Sequence, residues 1–218
     1  MADTIGGGIN EDGSLQNTIV IDEADLGKID IVGLENAGET ELAINSPIKG
    51  VEIGLKGDND VAISGARVVD SIISNEAPAG ETASVTIAVT KAKNLEFVTT
   101  GKGATDLSAP EGKIMKPSIT TAKGNAPDSI AFGSASTLKS ADISTGKGAD
   151  TLVFNGRIKG KTTVESGKGE DVIEVNRQSG KGKLILSDFS KKDTLIVDGT
   201  SITNDNREDA PKWIKFDS

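Results

Sequence analysis

The sequence of 218 residues contains no cysteine, no histidine and no tyrosine. Without cysteine the chain has neither disulfides nor thiolate metal ligands. Without histidine it lacks the commonest general base and the commonest ligand of transition metals. Aromatic residues make up only 3% of the chain, so a hydrophobic core must be built mainly from valine, isoleucine, leucine and alanine. The chemistry left to the protein is that of carboxylates, hydroxyls and lysines.

Long apolar runs and a positive net charge are missing as well. No apolar run approaches the roughly 20 residues that a helix needs to span a bilayer. The first ten residues, MADTIGGGIN, lack the basic and apolar regions of a cleaved leader. The net charge of −9 at pH 7 would repel a phosphate backbone. We therefore expect no membrane insertion, no nucleic-acid partner and no export by a cleaved leader.

What the sequence does contain is a regular series of glycine-rich turns, each closed by an acid. The acids are Asp106, Asp128, Asp150, Asp171 and Asp193, and the steps between them are 22, 22, 21 and 22 residues. Apolar residues follow the last four acids at the second and fourth positions, as Leu152 and Phe154 follow Asp150. A period of about 22 residues is typical of stacked architectures, and this alternation predicts a strand with one buried face.

Further residues recur with the same period. An apolar column precedes the turns, a hydroxyl column follows it by two positions, and a third apolar column lies between the turns. We expect the hydroxyls to face inward or toward a corner of the coil. The first column is Val98, Ile119, Ile143, Val164 and Ile185, the second is Thr100, Thr121, Thr145, Ser166 and Ser187, and the third is Ile114, Leu138 and Ile158.

These patterns predict an all-β fold, a parallel β-solenoid (β-helix) whose coils of about 22 residues stack about 4.8 Å apart. We divide the chain into a flexible N-terminal arm (1–16), irregular coils (17–94), regular coils (95–199) and a C-terminal cap or docking tail (200–218). In the irregular coils the apolar residues follow the acid at the first and third positions. We expect the arm and the tail to dock on a partner through Gly6, Gly7, Gly8, Trp213 and Phe216.

The turn GKGADTLV, which begins at Gly146, resembles the nonapeptide G-G-x-G-x-D-x-U-x of RTX, or haemolysin-type, calcium-binding repeats, where U is a large apolar residue. The resemblance is partial, because Thr145 and Ser166 stand where the first glycine belongs. It implies that Ca²⁺ binds between two stacked turns through carbonyl and carboxylate oxygens. The matching positions are Gly146, Gly148 and Asp150, and Gly167, Gly169 and Asp171. The alternative is a solvated ladder of acids and lysines.

No interruption of the repeat resembles an inserted catalytic loop, so we expect the protein not to be an enzyme. By analogy with other solenoids, we expect a structural or assembly protein of a virion, such as a phage tail, fibre or decoration protein. Its partners would be other structural proteins or copies of itself. The alternative is a secreted RTX-type calcium-binding surface protein or adhesin, exported without a leader.

Overall fold

The computed structural model describes residues 6–9, 15–21, 30–31, 40–44, 47–56, 59–121, 124–176 and 182–217. Within these ranges the chain forms 22 strands and one short 3₁₀ helix, Asn204–Asp209. The strands are β1 (Gly6–Ile9), β2 (Leu15–Ile21), β3 (Asp30–Ile31), β4 (Thr40–Ile44), β5 (Ile48–Lys49), β6 (Glu52–Lys56), β7 (Asn59–Val69), β8 (Ile72–Ala77), β9 (Thr82–Lys93), β10 (Glu96–Gly101), β11 (Ala104–Met115), β12 (Ser118–Thr120), β13 (Ser129–Lys139), β14 (Asp142–Ser144), β15 (Thr151–Phe154), β16 (Arg157–Lys159), β17 (Lys161–Glu165), β18 (Val172–Val175), β19 (Lys183–Leu186), β20 (Thr194–Val197), β21 (Thr200–Ile202) and β22 (Ile214–Phe216).

The strands form two sheets in which successive coils lie side by side. Sheet A has 13 strands in the order β1-β2-β4-β7-β9-β11-β13-β15-β18-β20-β21, with β5 also on β7 and β16 also on β13. Sheet B has nine strands in the order β22-β19-β17-β14-β12-β10-β8-β6-β3. All neighbours pair in parallel except at the two ends of sheet A. The predicted parallel β-solenoid is therefore confirmed.

The core consists of columns of apolar side chains that stack from coil to coil. Leu152 pairs with Ile130 on one side and with Ile173 on the other, so the coils are 22 and 21 residues long. In the next column the rings of Phe132 and Phe154 stack, with their centroids 5.5 Å apart. All five residues are at most 2% exposed. Burial of a large apolar side chain contributes about 1.5–3 kcal/mol, so these columns are a main source of stability.

The earlier coils stack on the later ones despite their different spacing from acid to apolar residue. Val61 pairs with Val85, and Val85 pairs with Leu107, which pairs with Ile130. The one-residue difference is taken up in the turn, because Asp106 lies outside the core and is exposed. The inward position before Leu107 belongs instead to Thr105, which is 1% exposed. Assigning Asp106 to the column of acids was wrong.

Two predicted columns also need correction at their ends. In the apolar column Phe97 pairs with Ile119, and Leu186 pairs with Val164, so Val98 and Ile185 are not members. The same one-residue shift replaces Thr100 by Thr99 in the hydroxyl column, and Ser187 by Asp188. In each of these strands two neighbouring residues are apolar, so the sequence pattern alone does not say which of them faces the core. The larger Phe97 buries more area than Val98 and takes the inward position, and a shift of one residue turns every side chain over.

Both ends of sheet A finish with an antiparallel strand. Strand β1 pairs with β2, so Gly6, Gly7 and Gly8 lie opposite Thr18, Asn17 and Gln16 and do not form a free arm. At the other end β21 pairs with β20. The rest of the predicted arm, residues 1–5 and 10–14, lies outside the described residues.

The C-terminal segment extends sheet B and closes the core. Strand β22 pairs in parallel with β19, and Trp213 and Phe216 pack against the core while staying partly exposed. The guanidinium of Arg207 lies 5.4 Å from the ring centroid of Phe189 and 5.1 Å from that of Phe216. Docking of this tail on a partner stays a prediction. In the described part of the chain, no helix has the length and apolar character that crossing a membrane requires.

Candidate functional site

Two columns of polar side chains lie inside the solenoid, at the corner between sheet B and sheet A. The hydroxyl column consists of Thr99, Thr121, Thr145 and Ser166, and the acid column consists of Asp128, Asp150, Asp171 and Asp193. Every member is at most 3% exposed, which is unusual for acids because a buried carboxylate must be paired or hydrogen-bonded. The predicted solvated ladder of acids is therefore not what these residues form.

Glycine-rich turns connect the two columns and stack directly on one another. Lys168 donates its backbone N–H to the carbonyl of Gly146 at 2.9 Å, and Gly148 donates to the carbonyl of Lys168 at 3.0 Å. Gly167 has a φ of 89°, and a Cβ atom on it would overlap the carbonyl oxygen of Gly146. A Cβ atom on Gly169 would overlap the carbonyl oxygen of Gly148 in the same way. The turns need glycine for both the backbone angle and the close approach.

Each acid accepts a hydrogen bond from the backbone of the preceding coil. The N–H of Asp128 donates to Asp150 Oδ1 at 2.9 Å, and the N–H of Asp150 donates to Asp171 Oδ1 at 3.0 Å. Asp193 Oδ1 accepts from the N–H of Asp171 at 3.3 Å, and Asp128 Oδ1 accepts from the N–H of Thr105 at 2.8 Å. A backbone N–H at or next to the start of β11, β13, β15 and β18 is thus paired by a side chain.

The two ends of the ladder differ from its middle. At the early end Thr99 and Thr105 share a hydrogen bond of 2.8 Å between their hydroxyl oxygens, whereas in the next coil the Thr121 hydroxyl donates to the Asp128 carboxylate. At the late end Asp188 takes the position that a hydroxyl residue holds in the earlier coils. Its carboxylate accepts the N–H groups of Ser166 at 3.0 Å and Gly167 at 2.6 Å. The ladder therefore ends in two acids on one coil.

Burial raises the pKa values of the acids in the middle of the ladder. Desolvation raises the pKa of Asp150 to about 6, and the neighbouring carboxylates of Asp128 and Asp171 add to the rise. Hydrogen bonds from the Asp128 backbone and the Thr145 hydroxyl offset part of it. The pKa values of Asp128 and Asp171 are also raised, with desolvation as the largest cause. These carboxylates bind a proton more readily than an exposed aspartate does.

The structure brings together the residues that the RTX resemblance assigned to calcium, but their oxygens are already engaged or enclosed. The carbonyl of Gly146 and one oxygen each of Asp150 and Asp171 accept backbone N–H groups. Ca²⁺ requires six to eight oxygens. Among the residues that the structure describes, no group of three or more acids is arranged to hold a metal ion. The second oxygens of Asp150 and Asp171 are enclosed without a hydrogen-bond partner among the described residues, and calcium binding stays a prediction.

The lysines of the same turns lie outside, on the opposite side of the backbone from the acids. Lys147 and Lys168 are stacked on each other and exposed, and Lys102 is exposed as well. Lys123, in the turn before Asp128, lies outside the described residues. Because these lysines and the buried acids face different environments, they do not neutralise one another at the surface.

The arrangement supports a structural role for the acids. A catalytic carboxylate must reach a substrate, whereas Asp150 and Asp171 are 0% exposed and hydrogen-bonded to the backbone. Sequence reasoning identified these acids and turns but missed Thr99, Thr105 and Asp188. A signal for Asp188 was present, because it stands 22 residues after Ser166, at the period of the repeat.

Comparisons with known proteins returned no relative. No protein-family model, no curated protein and no solved structure matches the chain.

Proposed function

We propose that the protein is a non-enzymatic structural component of a larger assembly, and specifically of a virion, as a phage tail, fibre or decoration protein. The observation that carries this proposal is the location of the buried polar groups and the partners that they contact. The acids and hydroxyls of the two columns lie inside the solenoid, where each acid accepts a backbone N–H with one oxygen, while Asp150 Oδ2 and Asp171 Oδ2 are enclosed without a hydrogen-bond partner among the described residues. The repeat therefore builds a regular scaffold, which is typical of assembly components.

The ends of the stack add support. In an open sheet the outermost strands offer unpaired N–H and C=O groups to other chains. Here β1 and β21 each add one antiparallel strand to sheet A, while β3 and β22 end sheet B. Such ends give neighbouring subunits a defined strand on which to dock. The partly exposed Trp213 and Phe216 lie beside the C-terminal end of the core and would contribute apolar contact there.

Mass spectrometry of purified virus particles from the source organism tests the proposal. We expect peptides of the chain at a constant ratio to a capsid or tail protein through a density gradient. The matched control is an abundant host protein of similar mass, whose ratio should fall as the particles are purified. If the chain is lost from the particles at the same rate as that control, the virion assignment is wrong.

A second candidate is a secreted RTX-type calcium-binding surface protein or adhesin, and the stacked glycines are the observation that favours it. Gly167 lies against the carbonyl oxygen of Gly146, and Gly169 against that of Gly148, and all four stand at positions that match glycines of the RTX pattern. This candidate requires folding that depends on millimolar Ca²⁺. The virion candidate expects the same circular dichroism spectrum and the same unfolding midpoint in excess chelator and in Ca²⁺. A collapse of the β signal in chelator would favour the secreted protein.

A further inference from the structure

Basic side chains are concentrated on one outer face of the solenoid, away from the buried ladder. This face is formed by β5, β16 and the second halves of β7, β9, β11 and β13. Along it an inward column, from Ile48 to Ile158, is flanked on both sides by outward positions. We call the basic residues at these positions the basic face: Lys49, Arg67, Lys91, Lys93, Lys113, Lys139, Arg157 and Lys159.

The strand register arranges these residues in two straight columns. In the first column Arg67 pairs with Lys91, Lys91 with Lys113, Lys113 with Thr137, and Thr137 with Arg157. The second column runs over six successive coils and is basic in four of them, because the buried Val69 and the half-buried Met115 interrupt it: Lys49, Val69, Lys93, Met115, Lys139 and Lys159. With about 4.8 Å between neighbouring strands, the second column is about 24 Å long.

The two columns that flank the inward column contain no acid, although the whole chain carries a net charge of −9. Two acids border these columns: Asp70, in the turn that follows β7, and Glu111, which is exposed on β11 two residues before Lys113. Asp70 accepts a hydrogen bond from the Asn94 amide at 2.7 Å. Seven of the eight basic residues are exposed and Lys91 is half-buried. Like charges directly across neighbouring strands repel, and one coil is well within the screening length of about 8 Å. Such repulsion does not stabilise the fold, and a ligand of opposite charge would offset it.

We propose that the basic face binds a linear acidic polysaccharide, with the chain of the polymer lying along the stack of coils. A straight polymer that repeats a carboxylate or sulfate at sugar-ring intervals can place charges against successive coils. Arginine can bind such groups through two parallel hydrogen bonds, and lysine binds them as a point charge. This inference goes beyond the proposed structural role and does not depend on whether the assembly is a virion.

Other linear polyanions fit the face less well. Single-stranded nucleic acid is bound on aromatic platforms, and the outward positions here hold no aromatic side chain beside the basic residues. The phosphates of a duplex wind around its axis and leave a straight column after a short contact. An acidic peptide that adds as a strand needs a free sheet edge, whereas this face is the middle of a sheet.

The test compares two triple variants that change the net charge equally. The first, K91E/K113E/R157E, reverses three charges of the basic face. The control, K102E/K147E/K168E, reverses three exposed lysines of the glycine-rich turns. The probes are fluorescent polygalacturonate, which carries carboxylates, heparin, which carries sulfates, neutral dextran and a single-stranded oligonucleotide. Binding is measured by fluorescence anisotropy at two salt concentrations, and circular dichroism verifies that each variant is folded.

We expect the wild-type protein to bind polygalacturonate, heparin or both, and not dextran. The basic-face variant should bind at least about tenfold more weakly, because three attractions become repulsions. The control should stay within about twofold of wild type. A neutralising variant, K91Q/K113Q/R157Q, should show a smaller loss, and it keeps the test decisive if the charge-reversed protein fails to fold. Binding to one acidic polysaccharide alone would identify carboxylate or sulfate as the recognised group.

Three outcomes would overturn the inference. The wild-type protein could bind neither polygalacturonate nor heparin. The two charge-reversed variants could lose affinity equally, which would mean that only overall charge matters. Finally, the basic face could bind the oligonucleotide more tightly than either polysaccharide, in which case nucleic acid would be the ligand.

Discussion

The coils before Thr121 and the coils after it build the same corner with different chemistry. In the early coils the inward positions before the apolar column hold neutral residues, Ala83 and Thr105. From Asp128 onward the same position holds a buried acid whose carboxylate accepts a backbone N–H from the coil before. Both kinds of coil stack in register. The comparison teaches that the acid is not needed to close a coil, and that it pairs one N–H at the cost of a buried charge.

The coils also differ in the way the chain turns between faces, and this change comes one coil after the first buried acid, between β13 and β15. From β7 to β13 long strands of 11 or 12 residues continue over two faces, with a register shift between β11 and β13 after Ala109. In the later coils the strand ends at Phe154, and a new strand begins at Arg157. The chain can therefore follow the same course around a coil in two ways. It forms either one long strand with a bulge or two short strands separated by a bend.

The largest effect should distinguish a glycine in an open turn from one in a stacked turn; the early coils contain both kinds, because Gly101 and Gly103 also lie against backbone carbonyls. Gly80 in the early coils and Gly167 in the late coils have the same φ of 89°. A Cβ atom on Gly80 meets nothing within 4 Å, whereas on Gly167 it would overlap the backbone of Gly146. We expect Gly167→Ala to lower the free energy of unfolding by about 3 kcal/mol and Gly80→Ala by about 1 kcal/mol. Urea unfolding followed by circular dichroism measures both, and equal losses would contradict the stacked-turn geometry.

A second difference is pH dependence, which should arise in the late coils. The pKa of Asp150 is raised from 3.8 to about 6, so the folded state holds this proton more tightly than the unfolded state. Its stabilising contribution is complete below about pH 3.8 and is lost as the pH rises through about 6. Asp150→Asn keeps an oxygen for the Asp128 N–H without the charge. At pH 8 we expect this variant to be about 2 kcal/mol more stable than wild type.

The measurement is the difference in unfolding free energy between Asp150→Asn and wild type at pH 4.5 and pH 8. The difference should be small at the lower pH and large at the higher one. Asp142→Asn, in sheet B, is the matched control because Asp142 is exposed. The interpretation fails if the two variants show the same pH dependence.

The smallest effect should come from converting a late coil into an early one. Asp128→Thr replaces the first acid of the ladder by the residue type that occupies the equivalent position at Thr105. The threonine hydroxyl can accept the Thr105 N–H, and a buried charge disappears, so we expect a change within about 1 kcal/mol. Asp128→Ala leaves that N–H without its partner and should cost about 1–3 kcal/mol. Thermal unfolding ranks the two variants, and the reverse order would show that the carboxylate has another role.

Much of the fold could be predicted because the sequence itself repeats at a regular interval. The 22-residue period and the alternation after each acid were sufficient for the solenoid and for the columns through Leu152 and Phe154. The ends of the columns could not be predicted. In the strand that contains Phe97 and Val98, either residue could face inward, and only its pairing with Ile119 decides. The acids were predicted as a set, but their burial and their partners were not.

The sequence by itself determined the period, the positions of the turns and the residue types that stack, because identical coils need identical side chains at the same interval. Tertiary structure decided which side of the backbone each polar residue occupies. The glycine turns place Lys147 outside and Asp150 inside, and the next coil supplies the N–H groups and carbonyls that surround them. Burial and hydrogen bonding depend on neighbours 21 or 22 residues away along the chain, and only the register between coils brings these neighbours together.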